Sequence, residues 1–140
     1  MSTFSVPNDN DYQELGSRWV SARNLIQDEY GYEICQSLED IGYLQRVIDD
    51  ELIDFQNAYA LECLDVVLGR VLAHNVDGLD WWIVDDEYGR DSVIRYGETT
   101  LQFNVLHLLG KRLSSGESVD AKSMYQWVVD KTEELKGQFE

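Results

Sequence analysis

The chain has 140 residues, with 27 acids against 11 Lys plus Arg, a formal net charge of −16, 44% hydrophobic residues and 11% aromatic ones. The length fits one globular domain over residues 1–140, and the apolar and aromatic content excludes wholesale disorder. The charge repels nucleic acid and anionic membrane and favours a basic protein as partner; its plainest effect is to keep the chain in solution.

No basic leader and no apolar run of membrane-spanning length is visible, so neither a signal peptide nor a membrane span is expected, and the expected location is cytoplasmic. Cys35 and Cys63 lie outside any CxxC motif and are expected to be reduced, packed thiols.

Residues 1–8, ending at the only proline, Pro7, read as flexible. A first helix is predicted over about 9–29: Tyr12, Leu15, Trp19, Ala22, Ile26 and Tyr30 recur on one face. Asp11 and Glu14 have capping-box spacing, and Gly31 is a stop. A shorter helix follows, with Ser37 and Asp40 as its capping box, Leu38, Ile41, Leu44 and Ile48 on one face, and the acidic run 49–51 at its end. The third helix, about 54–75, is apolar over most of its circumference and is predicted to lie at the centre. Gly69 within it implies the close approach of a neighbouring backbone.

The period then changes. LDWWIVD at 79–85 alternates with both sets largely apolar, and DSVIRY at 91–96 supplies a second strand, so a hairpin is predicted, with Gly89 at positive φ in its loop. TTLQF at 99–103 offers a third short strand. Two helices end the chain: one around Val105–Leu113 with Asn104 as a cap, and one beginning after Asp120. The expected fold is α+β, a small antiparallel hairpin or three-stranded sheet packed against about five helices.

The densest chemistry is WWIVDDEYGRD at 81–91. Asp85, Asp86, Glu87 and Asp91 provide the oxygen ligands a hard cation wants, but neighbours on a strand face opposite ways and the order lacks the alternation of a calcium loop, so no metal site is expected. A plain reading is a turn whose Asp side chains bond nearby backbone N–H groups while Arg90 pairs with a neighbouring acid. Trp81 and Trp82 take opposite faces: one is core and structural, the other packs under a helix or is exposed. An exposed Trp82 ringed by Asp85, Asp86, Glu87, Tyr88, Arg90 and Asp91 has the composition of a hot spot for a basic partner. Neither His74 nor His107 stands at motif spacing from a nucleophile or carboxylate, and no phosphate loop, zinc motif or nucleophile elbow occurs. No catalytic residue and no cofactor is expected.

Several of these residues also carry a family resemblance. Gly69 and Leu72 in a helix, Trp81 and Val84 in a strand, the run Asp85-Asp86-Glu87-Tyr88-Gly89-Arg90, then Arg95, and finally Lys111-Arg112, Gly116-Glu117 and Asp120 in LHLLGKRLSSGESVD resemble the bacterial domain family of unknown function 3806 (DUF3806). The resemblance spans roughly residues 38–130. It carries no agreed activity, so no catalytic role follows. Some relatives of that family look like immunity proteins, which implies a binding function. Asp65 stands where a small residue is expected, which implies a different packing or partner face there. The leading expectation is therefore a protein-binding module, in concrete form an immunity protein that neutralises a bacterial toxin. Its rivals are a small-ligand or metal-dependent enzyme at the acidic hairpin edge and a structural, housekeeping domain.

Overall fold

The computed structural model describes residues 3–139. In chain order it comprises β1 (Thr3–Ser5), α1 (Asp9–Tyr30), α2 (Glu39–Asp49), α3 (Ala58–Asn75), β2 (Leu79–Asp86), β3 (Gly89–Tyr96), β4 (Gln102–Phe103), a 3-10 turn (Val105–His107), α4 (Leu108–Ser114) and α5 (Ala121–Phe139). The class is α+β, with a four-stranded antiparallel sheet in the order β1-β2-β3-β4. Among the described residues no helix is long and apolar enough to cross a membrane.

The first correction lies at the start. Met1 and Ser2 fall outside the described residues, but Thr3–Ser5 form an edge strand on Ile83–Asp85. Continuing that register would set Pro7 opposite Trp81, and proline has no N–H to donate, so the strand stops there. The Trp81 N–H is taken instead by the Asp80 carboxylate at 2.8 Å. Asn8 then caps α1: its side chain accepts from Asp11 N–H at 2.8 Å, and the Asp11 carboxylate accepts from Asn8 N–H at 2.9 Å. The capping box is thus Asn8 with Asp11, one turn ahead of the expected Asp11–Glu14 pair. Gly31 ends α1 in the left-handed region at φ 70°.

The expected Ser37–Asp40 box takes another form. The buried Asp40 carboxylate reaches behind Ser37 to the backbone N–H groups of Cys35 and Gln36 and to the Tyr32 hydroxyl, fixing the loop before α2. Leu38 stands at the helix start with no side-chain cap. Cys63 is buried and burial pushes its thiol up, whereas Cys35 is exposed in that loop, contrary to expectation.

Helix α3 begins at Ala58 rather than 54, because the Asn57 side chain accepts from Ala60 N–H at 3.1 Å. Its residues are buried around the whole circumference, and α1, α2, α4, α5 and β2 all pack on it. The element pressed against Gly69 is an indole, not a backbone: a Cβ there would meet Trp81 Cη2 at 2.5 Å. Asp65, fully buried on the same helix, accepts from the N–H groups of Leu109 (2.8 Å) and Gly110 (3.1 Å) and so fastens the start of α4, where Asn104 makes no side-chain cap. Burial pushes the Asp65 carboxyl up to about 7. Helix α5 starts as expected, with Asp120 accepting from Ser123 N–H at 3.0 Å.

Candidate functional site: the acidic hairpin

Strands β2 and β3 pair over eight residue pairs, from Leu79 with Tyr96 to Asp86 with Gly89. Only Glu87 and Tyr88 lie between the strands, and Gly89 takes φ 115°, as so tight a connection demands. Alternation sends Leu79, Trp81 and Ile83 to the helical side and Trp82, Val84 and Asp86 to the other.

The structure separates the seven candidate contact residues into three groups. Asp86 and Asp91 serve the hairpin itself. The Asp86 carboxylate accepts from Tyr88 N–H at 2.8 Å and closes the turn. One Asp91 oxygen accepts from Ser92 N–H at 2.9 Å; the other lies 3.0 Å from His107 Nε2. Since a carboxylate only accepts, Nε2 carries the hydrogen of that bond.

Arg90 and Trp82 are engaged elsewhere. Arg90 reaches Asp11 of α1 rather than a sequence neighbour, in a two-pronged contact of 2.7 and 2.6 Å. The guanidinium holds the Asp11 carboxyl below the usual carboxylate range, assisted by Asn8 N–H and opposed by burial. The same contact pins the hairpin to the first helix. Trp82 is half-buried, not free: the Arg95 guanidinium lies 4.4 Å from its ring centroid and 3.9 Å from that of Phe4. Val84 and Val93 are buried beneath this layer. Trp81 is core, with its ring on Gly69.

Asp85, Glu87 and Tyr88 remain. All three are exposed, and Tyr88 is 90% exposed at the tip. Among the described residues no group of three or more His, Cys, Asp or Glu side chains is placed to hold a metal ion. Chemically, the tip is an aromatic ring with a phenolic hydroxyl beside two exposed carboxylates, of which Asp85 lies across the ladder from Arg90. It presents a surface for contact, and a concavity of about 340 Å³ lies beside it between Asp86, Tyr88, Arg90, Asp91, Gln102 and Asn104.

The sequence did not disclose the bond between His107 and Asp91, which join only because β3 and the 3-10 turn meet. Nor did it disclose Asp11 as Arg90's partner, 79 positions away.

No curated protein matches this chain. A crystal structure from Bacteroides thetaiotaomicron VPI-5482, at 1.50 Å, shares the fold with a TM-score of 0.85 at 15% identity, covering 92% of this chain and 47% of that one. This chain thus spans about half the length of that structure. The resemblance in the hairpin and α4 motifs has its counterpart in a family model that matches residues 40–125, and the chain accordingly belongs to the family described as a domain of unknown function, DUF3806.

Proposed function

We propose that this protein is a binding module for a basic protein partner, engaged through the tip of the β2–β3 hairpin. The observation that carries this reading is Tyr88, 90% exposed on a hairpin held to α1 by Arg90 and Asp11. A large aromatic on a rigid turn gives contact area at little ordering cost, the property that makes tyrosine a frequent interface anchor. Asp85, across the ladder from Arg90, and Glu87 add negative charge beside it, and the net charge of −16 extends the same field. The anchor is therefore Tyr88 in place of Trp82. The concrete form we favour is a cytoplasmic immunity protein, whose acidic surface would cover the basic active site of a toxin.

The test is capture of a toxin fragment from the same locus by the purified protein. Association should slow markedly between low and physiological salt. Tyr88→Ala should weaken binding by about 2 kcal/mol with unfolding unchanged, because the ring packs on nothing. Undiminished binding by a variant carrying Tyr88→Ala, Asp85→Asn and Glu87→Gln together would refute the assignment of the tip. A folded protein that captures no toxin fragment yet turns over a small molecule would replace the reading with an enzymatic one.

A further inference from the structure

A second surface departs from the acidic character of the rest. Where β4, the 3-10 turn, α4 and α5 meet, an open groove of about 700 Å³ is lined by Phe103, Leu106, His107, Lys111, Arg112 and Trp127, among others. That size lies within the range of small-molecule sites. Trp127 is 46% exposed and is braced by Phe103, whose ring meets it edge to face at 5.8 Å. A half-free indole at the wall of a concavity is a stacking surface.

The charges at the groove have the opposite sign to the molecule. Lys111 and Arg112 form the only adjacent Lys/Arg pair in the chain. Arg18, Arg90, Lys131 and Lys136 each have a carboxylate partner, Arg46, Arg70 and Arg95 lie over aromatic rings, and Arg23 and Lys122 stand singly in the sequence. Lys111 and Arg112 have none among the described residues; Arg112 donates to the Leu108 carbonyl alone. Glu62 also lines the groove, but it is engaged by Arg18 at 2.9 Å. His107 is held by Asp91 through Nε2, which leaves Nδ1 without a partner among the described residues. The distant field of the protein slows an approaching anion. Within a screening length of about 8 Å, however, Lys111 and Arg112 attract an anion against the single Asp91 carboxylate that holds His107.

We infer that this groove binds a small organic anion: a flat apolar ring stacked on Trp127, with a carboxylate or phosphate on Lys111 and Arg112. The site is distinct from the hairpin tip and does not depend on it. It explains why an acid-rich chain leaves two adjacent cations unpaired beside an exposed indole.

The experiment is an amide NMR titration of the full chain with three probes: 2-naphthoate, 2-naphthyl phosphate and uncharged 2-naphthamide. Both anions should move the Trp127 indole signal and the amides of residues 103–112, leaving Tyr88 unmoved, and should bind tighter than the amide. The tighter of the two anions identifies the head group the groove prefers. The Lys111→Ala/Arg112→Ala double variant should weaken both anions about tenfold or more, as the loss of charge-assisted hydrogen bonds requires, with naphthamide unaffected. Trp127→Ala should weaken all three probes. Should the double variant lose its folded spectrum, Lys111→Met, a change at an exposed position, repeats the comparison. Equal affinity for anions and amide, shifts located away from the groove, or anion affinity unchanged in a folded Lys111 variant would overturn the inference.

Discussion

Trp81 and Trp82 are adjacent in sequence and differ in almost everything else. Trp81 lies on the helical face of the sheet, its ring so close to Gly69 that no Cβ fits between them. Trp82 lies on the opposite face with Phe4, Val84 and Val93, under a guanidinium that two rings share. One face is therefore sealed by a helix and is specified by shape. The other is covered by a thin layer of side chains and one cation, and is specified more loosely. The lesson is that aromatic content on a strand says little about function until the covering element is known.

The difference can be tested by substitution. Trp81→Ala should be the most destabilising, by about 3–5 kcal/mol, since α3 cannot collapse into the space left by a buried indole. Chemical denaturation measures it, and a loss below about 1 kcal/mol would show the inner face to be no better packed than the outer. Gly69→Ala comes next. A Cβ would stand 2.5 Å from Trp81 Cη2 and 3.2 Å from Val105 Cγ1. The overpacking cost of about 1–3 kcal/mol should exceed the helix-propensity gain of about 1 kcal/mol, and a stabilised variant would mean that the indole moves freely. Trp82→Ala should cost about 1–2 kcal/mol, the value of partial burial and a shielded cation–π contact. A loss equal to that of Trp81→Ala would make the outer layer a second core.

The smallest effect concerns the pin that ties the hairpin to α1. Asp11 has its carboxyl lowered in the folded state by Arg90, against an ordinary value of 3.8. Its contribution to stability is therefore present above the unfolded value and is lost as pH falls through the folded one. Asp11→Asn should be less stable than the parent near neutral pH, with the gap closing below about pH 4. A gap that persists unchanged into acid would show that the carboxylate charge contributes nothing to the pin.

Much of the fold was legible in local pattern. The α1 face of Leu15, Trp19, Ala22 and Ile26, the circumferential burial of α3 and the positive φ of Gly89 follow from periodicity and backbone sterics, which act over a few residues. Two buried carboxylates show what local pattern does not record: Asp40 bonds the N–H groups of Cys35 and Gln36, and Asp65 bonds a segment far along the chain. Asp65 is clearest: it stands in α3, and its two donors lie 44 and 45 residues on, at the start of α4. The candidate site was legible as a place but not as a set of free groups. Asp86 closes its own turn, Asp91 bonds Ser92 and His107, Arg90 holds Asp11 and Trp82 lies under Arg95, which left Asp85, Glu87 and Tyr88 exposed.

By itself, the sequence determined the class of fold, the hairpin and its turn, the central helix and an acidic surface, because these rest on composition and on periods of two and 3.6 residues. Tertiary structure alone decided which tryptophan is buried, whom Arg90 pairs with, and that Lys111, Arg112, His107 and Trp127 share one concavity. Those outcomes depend on segments that meet only after the chain has packed, and no local period records such a meeting.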